Sequence, residues 1–127
     1  MKLLLDTHAL LWFFNGTNEL SHKARTAIEN TENIKYVSIA SLQEIAIKIS
    51  LNKLKFEKGY KNIASLIEEN GFEFLPLSFE HTIKLSVLPF HHRDPFDRML
   101  VSQAMVEDLV IITKDITIKD YAIKILW

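Results

Sequence analysis

No cysteine occurs among the 127 residues. That excludes a disulfide framework, a thiolate zinc site and a cysteine nucleophile, and leaves oxygen and imidazole chemistry. Only 3 glycines and 3 prolines are present, too few for a flexible linker or a low-complexity tract, so a single domain over residues 1–127 is expected. No stretch approaches the roughly 18 apolar residues that span a bilayer. The opening MKLLLDTHALLWFF is interrupted by Asp6, Thr7 and His8 and lacks a small-residue cleavage site, which reads as a soluble cytoplasmic protein without membrane attachment. Charge of one sign is also missing: the net charge is −1 and the pI about 6.5. A broad basic face gripping duplex DNA is therefore excluded, though a small nucleic-acid site is not. Glycine loops of the phosphate-cradling types and the GxSxG hydrolase elbow are absent as well.

What is present is ordinary globular usage, 48% hydrophobic and 24% charged, far from the apolar-poor profile of disorder. At this mass a folded monomer exposes roughly 7,000 Å² against about 21,000 Å² for the unfolded chain. Apolar runs of strand length at residues 2–5, 35–38, 72–77, 109–113 and 122–127 alternate with segments at helical spacing. Helices are expected over 7–14, 20–30, from Ser38 through 51, 60–70, 79–88 and from Asp94 to about 108, with a short turn near 116–120. Asp6, Ser21, Ser38, Ser78 and Asp94 are placed to cap them, and Gly71 to stop one. Strands that are apolar on both faces and alternate with helices imply an α/β fold, a three-layer α/β/α sandwich around a mostly parallel sheet.

In such a sheet ligands bind beyond the carboxyl ends of the strands. Asp6 closes the first strand, Asp115 follows LVIIT by two residues, and Asp97 lies in the first turn after Asp94-Pro95. Glu44 sits in SLQEIAIK among Leu42, Ile45, Ala46, Ile47 and Ile49, where a carboxylate needs a partner or a metal. Each acid also has a plainer role. Asp6 and Asp115 can cap helices, Asp94 before Pro95 is sufficiently explained as a cap, Asp97 suits a helix dipole, and Glu44 stands four residues before Lys48 in the favourable ion-pair orientation. Acids from separate segments brought to one edge repel unless a cation compensates them. All-oxygen ligation is the environment of Mg²⁺, with Mn²⁺ as substitute, and not of zinc. The adjacent His91 and His92 read as loop residues or phosphate contacts, and His8, His22 and His81 as helix-surface or satisfied core residues. Trp12, Phe13 and Phe14 read mainly as core, with part of the cluster free for an interface. Without the four acids the formal charge moves from −1 to +3, so a phosphodiester substrate is plausible near Lys48, Arg93, Arg98 and Lys114.

Together, LLLDTHALLW, SLQEIAIK, HHRDPFDRMLVSQA and LVIITKDITIKDY resemble the PIN-domain VapC-like toxins, in the subgroup with the DPFDR motif, over essentially the whole chain. The resemblance implies a Mg²⁺-dependent endoribonuclease, usually a homodimer, paired with a small antitoxin protein. Position by position it implies Asp6, Glu44 and Asp97 as metal-binding catalytic acids, with Asp115 or, less directly, Asp120 as the fourth. In that chemistry Asp6 and Asp97 hold the ion that activates water for in-line attack, Glu44 and Asp115 complete or orient a second site, and Thr7 and Ser41 orient carboxylates. Two rival expectations are an interaction protein with a vestigial acid cluster, and a nuclease acting on DNA or in RNA processing without an antitoxin.

Overall fold

The computed structural model describes residues 1–127. Lys2–Leu5 forms β1, in which Leu3, Leu4 and Leu5 are all at most 1% exposed. Successive strand side chains point to opposite faces, so Leu3 and Leu5 join one apolar cluster and Leu4 the other. A strand apolar on both faces belongs where both are covered. β1 accordingly pairs in parallel with β2 (Ile34–Ser38) on one side and with β4 (Val110–Ile112) on the other. β3 (Phe72–Leu75) lies beyond β2 and β5 (Ile125–Leu126) beyond β4, giving the order β3-β2-β1-β4-β5 with every pairing parallel.

The Leu3/Leu5 face is covered by α1 (Thr7–Asn15), α2 (His22–Glu29) and α4 (Ile63–Glu69). The Leu4 face is covered by α5 (Phe79–Ser86) and α6 (Pro95–Glu107). The long α3 (Ile39–Ser50) touches both α1 and α6, so it joins the two helical layers. This is the expected three-layer α/β/α sandwich. Asp6, Ser21, Ser38, Ser78 and Asp94 each accept a backbone N–H of the helix that follows, as the cap positions predict. Gly71 has φ 78°, the left-handed geometry expected after α4.

Of the boundaries that differ from expectation, three have a clear local reason. The helix expected over 60–70 begins as a single 3-10 turn at Tyr60–Asn62, because the Asn62 side chain donates to Lys58 O at 2.7 Å instead of capping. β3 stops at Leu75, since Pro76 has no N–H for the ladder. The last strand shrinks from 122–127 to Ile125–Leu126, the pair that Ile111 and Ile112 can engage. Among the aromatics, Phe14 is buried, Phe13 packs edge-on to Phe14 and Phe72, and Trp12 lies between His8 and Trp127. The cluster is therefore mostly core. His81 is a satisfied core histidine, 1% exposed, between the Ser78 amide and Glu107, whereas His8 and His22 lie exposed on helices.

A buried polar chain locks the carboxyl ends of β2 and β3 to α6. The Ser38 hydroxyl donates to Gln103 Oε1 at 2.6 Å, and Gln103 Nε2 donates to Pro76 O at 3.4 Å. Both Ser38 and Gln103 are 0% exposed, so neither has water as a substitute partner. Gln103→Ala is expected to lower unfolding stability by about 2–4 kcal/mol, from the unpaired groups and the cavity together. Urea denaturation would measure it, and a loss below about 0.5 kcal/mol would show that the chain contributes nothing.

Candidate active site

From β1 the chain runs outward through β2 to β3, and from β4 it runs the other way to β5. The strand order therefore reverses between β1 and β4, and the crevice beyond their carboxyl ends is where an open α/β sheet binds ligands. Asp6 directly follows β1, and its amide donates to Ile112 O of β4 at 3.1 Å, tying the two strand ends together. Thr113 directly follows β4, with Asp115 two residues on, while α6 delivers Asp97 in its first turn and α3 delivers Glu44.

The four acids are held very differently. Asp6 is buried and caps α1, its Oδ1 accepting the Ala9 amide at 2.8 Å. Glu44 is also buried, with Oε1 accepting from the Thr7 hydroxyl at 2.7 Å and Oε2 from Lys48 Nζ at 2.8 Å. Asp115 caps the 3-10 turn Ile116–Asp120 through Oδ1, which accepts the Thr117 amide and hydroxyl, and its Oδ2 lies 2.7 Å from His92 Nε2. Asp97 has no such support: the one side-chain donor beside its carboxylate is His92 Nε2 at 3.4 Å. His92, Asp97 and Asp115 present ligand-type atoms within 4.8 Å of one another.

His92 occupies this place because its loop is pinned from below. Arg98, buried on α6, donates to the carbonyls of Leu88, Pro89 and His92. The Tyr121 hydroxyl accepts the His92 amide at 3.0 Å and donates to Pro89 O at 2.7 Å. The Asp94 amide donates to His92 Nδ1 at 3.0 Å, which leaves the ring proton on Nε2, aimed at the carboxylates. A ring so held orients the acids and has no free lone pair for a metal. The Asp94 carboxylate does what its place before Pro95 predicts, accepting the Phe96 and Asp97 amides at 2.9 Å each.

Charge follows the same division. Burial raises the Asp97 pKa to about 7, with the negative charges of Asp94, Asp6 and Glu44 adding to the shift and His92 opposing it. Asp6 is also pushed up by burial, with the Thr113 hydroxyl and the Ala9 amide pulling back. At Asp115 burial pushes up, but the Thr117 and His92 hydrogen bonds outweigh it and the carboxyl sits below its usual value. Half-buried like charges with an unsupported member at their centre are what a hard divalent cation compensates, and oxygen donors suit it. The oxygen donors of this group therefore fit a hard divalent cation such as Mg²⁺.

Asp6, Glu44, Asp97 and Asp115 thus meet at one edge, with Asp6 and Glu44 close enough to raise Asp97's pKa. Asp120 is exposed at the end of its 3-10 turn, apart from the group. Thr7 orients Glu44 as expected, but the buried Ser41 hydroxyl bonds to nothing, so its expected role is not seen. His92 lies in a loop, as expected, with its ring turned onto Asp97 and Asp115. Sequence reasoning also missed Thr113, whose hydroxyl accepts the Asp115 amide at 3.0 Å and stands beside Asp6. The available signal was its place at the end of an apolar strand, two residues before a site acid.

The PIN domain family model matches residues 3–124. No curated protein matches the chain. Among solved structures, VapBC2 from Rickettsia felis bound to a DNA fragment from its promoter superposes with TM-score 0.72 at 16% identity, covering 99% of this chain and 98% of that one. DNA-bound VapBC from Salmonella typhimurium gives 0.70 at 18%, covering 99% and 97%. FitAcB from Neisseria gonorrhoeae gives 0.69 at 14%, covering 98% and 96%. At these identities the likeness is one of fold.

Asp97 ionises near 3.8 in the unfolded chain and near 7 in the native one. Its raised pKa thus contributes stability that is complete below about pH 4 and is lost as pH rises through about 7. In the metal-free protein Asp97→Asn is expected to be more stable than wild type by about 2–4 kcal/mol at pH 8, and equal to it near pH 4. Equal stability at pH 8, measured by urea denaturation in EDTA, would contradict this electrostatic account.

Proposed function

Because this chain belongs to the PIN domain family, whose members are generally nucleases, we propose that it is a divalent-metal-dependent endoribonuclease acting as the VapC-like toxin of a toxin-antitoxin pair. The observation that carries the proposal is Asp97: a carboxylate in the strand-reversal crevice, with only His92 Nε2 at 3.4 Å as a donor beside it, whose pKa is raised to about 7 by burial first and by neighbouring acids second. A bound Mg²⁺ or Mn²⁺ would supply Lewis-acid polarisation of a phosphodiester and a more acidic water. Asp97 and Asp6 would hold the ion, Asp97 in its ionised form. Asp115 is kept ionised by Thr117 and aimed by His92. Glu44 is held in place by Thr7 and Lys48, and Lys48 sets an ammonium at the border of the site where a phosphate oxygen would approach.

RNA as the substrate and a small antitoxin as the partner follow from the resemblance to the VapC-like toxins, and the fold shared with VapBC complexes supports the second. Pairing as a homodimer is supported by an exposed apolar row along α5 and its C-cap, where Phe79 is 75%, Ile83 51% and the cap residue Val87 71% exposed, four residues apart.

The test is cleavage of end-labelled single-stranded RNA by purified protein in Mg²⁺ or Mn²⁺ against excess EDTA, beside matched DNA. Cleavage is expected of RNA only and with metal only. Asp97→Asn is expected to lose at least about 100-fold in rate, while Glu69→Gln, exposed at the end of α4, keeps full activity. Cleavage that survives EDTA, or full activity in Asp97→Asn, would overturn the metal site, and preference for DNA would overturn the substrate.

A further inference from the structure

We propose that the lysine-rich segment joining α3 to α4 is a binding surface for the phosphate backbone of single-stranded RNA, leading the strand to the carboxylate site; this rests on the ribonuclease function proposed above. Residues 48–61 hold five lysines and one glutamate, whereas the rest of the chain holds ten basic and fifteen acidic residues. The overall charge of −1 thus conceals one strongly cationic segment on an otherwise anionic protein.

The segment is a built surface. Asn52 takes a left-handed φ of 57°, and the Lys53 amide returns to Lys48 O at 2.8 Å, closing α3 and turning the chain. Phe56 is buried in the core beneath it. The Tyr60 hydroxyl donates to Leu42 O at 3.1 Å, two residues from Glu44, so the far end of the segment is fastened to the helix that carries a site acid. With the backbone anchored from inside, Lys53, Lys55, Lys58 and Lys61 are left exposed. Lys53, Lys58 and Lys61 have no acidic partner, and Lys55 reaches only exposed Glu57 at 3.9 Å.

Two features fit a single strand. A cleft of about 500 Å³ is lined by Ile49, Leu54, Phe56 and Tyr60 together with Lys53 and Lys55. An apolar floor flanked by ammonium groups suits an unstacked base and its phosphates, which a duplex does not offer. Continuity with the site comes from Lys48, one helical turn beyond Glu44 and 2.8 Å from its carboxylate, so the row of cations begins where the acids end.

The experiment uses the full chain carrying Asp97→Asn, to separate binding from cleavage, with and without Lys53→Gln, Lys55→Gln, Lys58→Gln and Lys61→Gln together. Anisotropy of a fluorescein-labelled 20-nucleotide single-stranded RNA is expected to show affinity falling about 10- to 100-fold at 0.15 M salt, and the slope of log affinity against log salt becoming shallower by about 2–3. With Asp97 intact, the four lysine changes are expected to raise KM for the 20-mer at unchanged kcat, and to leave cleavage of a tetranucleotide unaltered. If wild type cleaves RNA while affinity, slope and KM do not respond to the lysines, the surface is overturned and the nuclease stands. Failure of wild type to bind or cleave RNA, despite stabilisation by Mn²⁺, overturns both. Loss of poly-glutamate binding with RNA binding unchanged assigns the surface to an acidic protein segment and overturns the proposal.

Discussion

The parallel pairing of β1 with both neighbours is the constraint on which everything else rests. It forces the chain leaving β1, β2 and β4 to emerge at one edge, and it places the reversal of strand order between β1 and β4. Residues far apart in sequence then share a crevice with no loop reaching across the molecule. The register is held by leucines that satisfy both faces at once: a one-residue slip would move Leu4 into the cluster of Leu3 and Leu5 and empty its own.

At that edge the fold uses one residue for two tasks. Asp6 and Asp115 cap the turns that follow their strands and carry the site's charge as well. Capping explains why these carboxylates stay ordered: one oxygen of each is fixed by backbone N–H groups, and that restrains the other. Asp97 is different, because the cap of its helix is Asp94. Relieved of that task, it remains without donors, and burial among like charges falls on it more than on the others. Arg98 one residue later meets the opposite requirement. Its buried guanidinium is spread over the carbonyls of the 88–92 loop, and the loop so fixed brings His92 onto Asp97 and Asp115. The DPFDR stretch is thus a short run in which cap, helix start, site acid and loop anchor follow in order.

Much of this was legible in the sequence. Helix starts were marked by Ser and Asp caps, the buried strands by apolar runs, and the four acids by their places after strands or in first turns. Boundaries failed where a side chain spent its hydrogen bond elsewhere, as Asn62 does, or where a neighbouring strand was too short, as β4 is for β5. The concentration of lysines between α3 and α4 was visible as composition, but not as a surface. Its exposure depends on Phe56 and Tyr60 holding the backbone down, and those are tertiary contacts.

By itself the sequence determined the α/β class and the caps, because these follow from periodicity and from short-range hydrogen bonds that a few neighbouring residues make. It also determined that any ion held there would meet oxygen or imidazole and not thiolate, since no cysteine is present. Only the tertiary structure decided how the acids differ. Which carboxylate is left without donors, which way His92 turns its proton, and that Thr7 engages Glu44 across 37 residues while Ser41 engages nothing depend on distances between separate elements. Hydrogen bonding and desolvation act over a few ångströms in space, so their balance at each acid was settled only when the strands closed into one sheet.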